Sequence, residues 1–319
     1  MPFNTSFFEN FMLDAYESLA VHYDYYYLKA MHEKNRTQGC HTMIVGSSHA
    51  MNGIIETAFD EPLINLSVSS QDLYYDFLHV RKALSHMHGP IRTCLVNIGY
   101  YTLHVDLSLS QTTGCLAGQV YAPLFGDAHH YRGEDNTLLQ TGGRLAKVED
   151  AEKELIEAWA VDGMLQQGSY YGEYRSREDC NLLGVKKVDW VALSDREKLD
   201  YAAFRAGQHN KHLKRAETFE ENRGILRDLV KLLNEKQIRT VFVIFPFTPQ
   251  YNACIDPAYK DIIYRSLDEL DSEVEFLDLN EVEGLVEAED FLDSDHLKLS
   301  GAMKVSAFLN DYLHEDFTE

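Results

Sequence analysis

Five short apolar runs constrain this chain more than any other feature. They are HTMIVG (41–46), PLINLSV (62–68), IRTCLVNIGYY (91–101), IRTVFVIFPF (238–247) and EVEFLDLN (273–280). Each is bounded by turn residues or by a helical pattern, which reads as a buried strand. Segments of helical periodicity lie between them. Residues 70–88 place Leu73, Phe77, Val80 and Leu84 on one face, and Gly89-Pro90 stops the pattern. Residues 216–237 and 257–270 flank the fourth run, and a last helix is expected from about Ser300 to His314. Apolar strands alternating with helices need a parallel sheet covered on both faces. The expected class is therefore α/β with a five-stranded parallel sheet.

An amphipathic helix is expected ahead of the first strand, over residues 6–34, from the spacing of Phe7, Phe8, Phe11, Met12, Ala15, Leu19 and Ala20. Tyr23, Tyr25, Tyr26 and Tyr27 continue it, and packing against the sheet accounts for them more simply than ligand stacking. The rhythm breaks between 103 and 215, where a short crossover belongs. That interval holds the Gly-rich stretches TTGCLAGQ, QTGGR and QQGSYYGEY and one helical pattern at 149–165. A structureless loop of such length is uncommon in a compact domain. The expected organisation is thus an N-terminal helix with the first half of the core (1–102), an inserted subdomain or lid after the third strand (103–215), and the second half of the core (216–319).

Composition narrows the function. Fifty-one acidic residues against 29 basic give a formal net charge of -22. Nucleic acids and anionic membrane surfaces are recognised by cationic fields, so neither is an expected partner. No run reaches the roughly 18 apolar residues of a membrane span, and residues 1–39 lack the basic and apolar regions of a signal peptide. Cys40, Cys94, Cys115, Cys180 and Cys254 are odd in number and widely spaced. Reduced thiols and a cytoplasmic location are the expectation. No Gly-Lys-Ser/Thr follows the first strand and no G-x-G-x-x-G opens a helix, so no nucleotide cofactor is expected. His86, His88, His129 and His130 lack the H-x-x-x-H spacing of a metal helix, so no metal is expected either.

Gly46-Ser47-Ser48-His49 ends the first strand. Ligands of an open parallel sheet bind beyond the carboxyl ends of its strands, and a helix starting here points free N–H groups at the same place. A serine hydroxyl needs a base to become a nucleophile, and the base needs an orienting carboxylate. The segment FLDSDHLKLSGAMKVSAFL (291–309) offers both, with Asp293 and His296 three residues apart at the start of the last helix. A helix-start motif capped by Ser300 is the plainer reading of that segment alone. Asp295 is a weaker alternative carboxylate. His49 is expected to point away from Ser48, as adjacent side chains generally diverge.

IVGSSHAMNGI (44–54) followed near the C-terminus by DSDHLKLSGA (293–302) resembles the SGNH (GDSL-like) hydrolase superfamily. The resemblance covers residues 41–101 and 238–313 and implies a three-layer, flavodoxin-like α/β fold. It implies Ser48 as nucleophile, His296 as base and Asp293 as carboxylate. It also implies an oxyanion hole built from the Ser48 N–H, a backbone N–H after the second strand and an Asn after the third. NLSVSS (65–70) puts Ser70 where the family has Gly, and IGYYTL (98–103) puts Tyr101 where it has Asn. Either the Tyr101 hydroxyl or Asn97 then supplies the third donor, or the donor is missing. The implied activity is serine-dependent acyl transfer, by an esterase or an O-acetyltransferase acting on an acylated carbohydrate or a related small ester. The alternative is a non-catalytic binding or scaffold protein on a degenerate version of the fold.

Overall fold

A computed structural model gives the structure, which describes residues 23–133, 150–167, 188–270 and 274–315. In chain order the elements are α1 (Tyr23–Thr37), β1 (Thr42–Val45), α2 (Ser48–Gly53), β2 (Leu63–Asn65), α3 (Leu73–Ser85), β3 (Thr93–Asn97), α4 (Ala122–Phe125), α5 (Asp150–Gln167), α6 (Asp195–Asn210), α7 (Ala216–Glu235), β4 (Arg239–Ile244), α8 (Pro249–Cys254), α9 (Ala258–Asp268), β5 (Glu275–Asp278) and α10 (Leu299–Glu315). The first part of the expected N-terminal helix and the QTGGR stretch lie outside the described residues. No helix among the described residues is long and apolar enough to cross a membrane.

The chain divides into two compact units, residues 1–34 with 107–185, and residues 35–106 with 186–319. In the first, a π-helical turn at Ala117–Tyr121 leads into α4. Tyr23 and Tyr27 of α1 stack with ring centroids 6.5 Å apart. Tyr25 donates from its hydroxyl to Glu157 of α5 at 3.2 Å, and Lys29 pairs with the same carboxylate.

The second unit holds the sheet, in the order β2-β1-β3-β4-β5 with every pairing parallel. The register aligns Thr42 with Leu63, Val45 with Val96, Asn97 with Val243 and Ile244 with Asp278. Right-handed crossovers put α3, α7 and α9 on one face, because those connections all step the same way across the sheet. The connection through α2 steps the other way and puts it on the opposite face, where α10 packs against it. The alternation of runs led to the expectation of a parallel sheet covered on both faces, and this is the three-layer, flavodoxin-like form of it that the family resemblance implies. β1, β2 and β3 are buried along their whole length, while β5 at the edge is half-buried. Met43, Ile44, Val241 and Phe242 are fully buried, each contributing about 1.5–3 kcal/mol. α7 turns Leu226, Leu229, Val230 and Leu233 inward at helical spacing.

α6 falls within 103–215 yet belongs to the sheet unit, where it packs against α8. Its start is a capping box: Ser194 Oγ accepts from the Glu197 N–H and Glu197 accepts from the Ser194 N–H. The direction of the connections reverses at β1 and β3. Ligands of this fold class bind beyond the carboxyl ends at that reversal. Ser48 follows β1, and Asn97 ends β3.

Candidate active site

The turn that carries Ser48 is shaped by its neighbours. Gly46 has φ +146°, and a Cβ there would meet the Asn97 Cβ at 2.5 Å. Only glycine fits that close approach. Asn97 reaches across from β3 and accepts at Oδ1 from the N–H groups of Ser47 and Ala50, each at 3.3 Å. Its Nδ2 donates to the carbonyls of Val243 at 3.2 Å and Ile98 at 3.4 Å. Backbone groups thus dictate which end of this amide is which, and both ends are engaged in holding the turn. Asn65, at the end of β2, steadies the other side by donating to the Ala50 carbonyl at 3.3 Å. The buried Asp76 of α3 lies below, accepting from the Gly46 N–H and from Gln71 Nε2, the latter at 2.7 Å. Burial pushes the Asp76 carboxyl well above the usual carboxylate range.

The loop before α10 is closed largely on itself. Leu292 N–H donates to the His296 carbonyl at 2.8 Å, and Phe291 bridges to Leu297. Asp293 Oδ1 accepts from the N–H groups of Asp295 and His296, both at 2.9 Å. Thr248, the cap of α8, ties the loop to the rest of the sheet unit by donating to the Ser294 carbonyl from Oγ1 at 2.8 Å and from its N–H at 3.1 Å.

These two segments meet, although 248 residues separate them. Ser48 Oγ lies 2.8 Å from His296 Nε2. His296 Nδ1 lies 3.0 Å from each oxygen of Asp293. A carboxylate at Nδ1 requires a proton there, which leaves Nε2 as an acceptor for the serine hydroxyl. The arrangement is that of a nucleophile, a base and an orienter. Burial pulls His296 down, but Asp293 and Asp295 outweigh it, and the imidazole is held above the ordinary value of 6.5.

His49 was expected to point away from Ser48, but its ring lies within the site. Its side chain is buried and stacks on His296, with centroids 5.1 Å apart and planes at 22°. Phe247, from the loop after β4, packs edge-on against it at 5.1 Å. α2 is a helix from its first residue, so successive side chains diverge by about 100° and the one after Ser48 turns inward. Burial, the largest influence, holds the His49 imidazole below its ordinary value.

Asp295, the weaker alternative carboxylate, is wholly buried behind the histidines. Arg205 of α6 donates from Nε to both of its oxygens, at 3.1 and 2.9 Å. Burial alone would raise this carboxyl. Arg205, His296 and His49 overcome that and hold it well below the usual range. Sequence reading missed Arg205, which lies 90 residues from its partner. The Ser-Asp-Arg-Glu at 194–197 was the legible signal for the helix that carries it.

The remaining candidates concern the oxyanion. Ser70 sits in a tight turn at φ +63°, and among the described residues neither its N–H nor that of Ser48 has an acceptor. Tyr101 stacks on His209, with centroids 3.9 Å apart, and the Tyr251 hydroxyl lies 2.5 Å from His209 Nδ1. His49, Asp295 and His296 present ligand atoms within 4.8 Å of one another. A metal ion held there would face the Arg205 guanidinium already bound to Asp295.

No family model matches the chain, and no curated protein matches its sequence. Among solved structures, one described as "The structure of a putative platelet activating factor from Streptococcus pneumonia" is similar to this chain at a TM-score of 0.45. Identity is 11%, over 90% of this chain and 91% of that one.

Proposed function

We infer that this protein carries out serine-dependent acyl transfer, as an esterase or O-acetyltransferase of the SGNH type, with an acylated carbohydrate or related small ester as substrate. One observation carries the reading: His296 Nε2 is 2.8 Å from Ser48 Oγ while Nδ1 is 3.0 Å from the Asp293 carboxylate. Ser48 Oγ attacks the ester carbonyl as His296 Nε2 takes its proton. The carbonyl carbon becomes tetrahedral, and the Ser48 and Ser70 N–H groups receive the oxyanion. His296 returns the proton to the leaving alcohol, the C–O bond breaks, and an acyl group remains on Ser48. Water or a sugar hydroxyl, deprotonated by the same Nε2, then releases it.

Asn97 is engaged by the turn, and Tyr101 is stacked on His209. The oxyanion hole in this reading is therefore made of backbone donors. One missing donor typically costs about 100- to 1000-fold in rate, so a slow enzyme is expected. The test is intact-mass analysis after incubation with an activated acetyl ester, with and without an oligosaccharide acceptor. A mass increment of one acetyl group is expected on the wild type and none on Ser48→Ala. Faster loss of the adduct with the oligosaccharide would favour the transferase. No Ser48-dependent adduct and no turnover would leave the scaffold alternative standing.

A further inference from the structure

Two carboxylates lie within reach of one imidazole nitrogen. His296 Nδ1 is 3.0 Å from Asp293 and 3.9 Å from Asp295 Oδ1. They are two residues apart on one loop, and the base can be oriented by either. We propose that Arg205 is a positioning residue for His296, acting through Asp295 so that Asp293 alone orients the base. This rests on the acyl-transfer reading for its catalytic meaning, and on the geometry for the rest.

Arg205 Nε engages both oxygens of Asp295, and Ser294 Oγ donates to Oδ1 of the same group at 3.0 Å. Arg205 is itself fixed by Gln208, which accepts from Nη1 at 3.0 Å. Asp295 is thereby held as a neutralised partner and is drawn off Nδ1. His49 closes the other side, with Nε2 3.6 Å from Asp295 Oδ2 and its ring against His296. The groups that bear on His296 are therefore Asp293 and Asp295 from its own loop, Ser48 and His49 from α2, and Arg205 from α6. Tyr201, also of α6, lies beside both carboxylates. Arg205 opposes the protonation of His296 and Asp295 favours it. Removing either should therefore move the base in opposite directions.

The experiment follows the His296 imidazole by NMR titration, together with the pH dependence of Ser48 labelling by a fluorophosphonate. Arg205→Gln is expected to raise the His296 midpoint by about one pH unit, and Asp295→Asn to lower it by about as much. The double variant stays near Asp295→Asn, because Arg205 acts through that carboxylate, and Arg205→Lys falls between wild type and Arg205→Gln. The acid limb of the labelling profile moves with each midpoint. A purely structural role lowers labelling at every pH and leaves the midpoint in place, or moves both single variants the same way. Either result overturns the proposal. If Arg205→Gln does not fold, Asp295→Asn and the double variant decide it by the same criterion. A wild type that the fluorophosphonate does not label sinks the acyl-transfer reading, while the NMR midpoints still decide the positioning role.

Discussion

The turn that carries Ser48 and the loop before α10 contribute the two halves of the candidate site, yet they are held by opposite means. Gly46-Ser47-Ser48-His49 has few bonds of its own. Asn97 from β3, Asn65 from β2 and Asp76 from α3 hold it from outside. The 291–297 loop is held mostly from within: one Asp293 oxygen accepts two of its N–H groups and the adjacent bridge closes its base. The first depends on a buried polar framework that the whole sheet must assemble. The second is a local turn whose orienting side chain also builds its backbone. A strand-end turn has little room for internal bonds, whereas a seven-residue loop can supply its own acceptors.

The largest effect should come from within the self-built loop. Asp293→Ala removes the orienter and both backbone bonds, and labelling of Ser48 should fall by about 10³- to 10⁴-fold. Thermal unfolding and labelling kinetics measured together separate the two losses. If Asp293→Asn, which keeps an acceptor for the two N–H groups, lost no rate, the carboxylate would not be the orienter. Gly46→Ala comes next. The new Cβ meets Asn97 at 2.5 Å, and overpacking of this kind costs about 1–3 kcal/mol, more where backbone must shift. A denaturation midpoint equal to wild type would show that the turn yields more easily than its geometry implies.

Asn97→Ala breaks the outer framework instead. It strands the Ser47 and Ala50 N–H groups, and each buried orphan typically costs about 1–3 kcal/mol. Stability should fall in denaturant, and the rate should fall with it because Ser48 is no longer fixed. Loss of rate at unchanged stability would instead make Asn97 an oxyanion donor. The smallest effect is a displacement of the pH profile. The base must be neutral to accept the Ser48 proton, and His296 is held above 6.5. Labelling should therefore decline as pH falls through a midpoint above that value and level off at higher pH. A midpoint below 6.5 would mean that burial outweighs the two carboxylates.

Much of this was legible in the chain. Every strand in the described residues lies inside one of the five runs: the buried strands β1 to β4 are largely apolar, while the half-buried edge strand β5 carries Glu275 and Asp278 at its ends. Ser48 and His296 were candidates for the same reason. A serine at a strand-to-helix turn and a D-x-x-H turn before a helix are both short-range patterns. His49, Asn97 and Arg205 were another matter. His49 was expected to diverge, Asn97 was a candidate donor, and Arg205 did not figure at all. Each has its role set by a partner distant in sequence, and no local spacing encodes such a partner.

The sequence by itself determined the order of elements, the glycine turn that ends β1, and the carboxylate–histidine spacing that builds its own loop. Those depend on period, conformation and contacts within a few residues. Only the tertiary structure decided that the two turns face each other at the reversal of the sheet. It also decided that His49 stacks on His296, and that Arg205 from α6 pairs with Asp295. The reason is physical: a hydrogen bond or a buried ion pair acts over about 3 Å, and only the folded sheet brings groups this far apart in the chain within that distance.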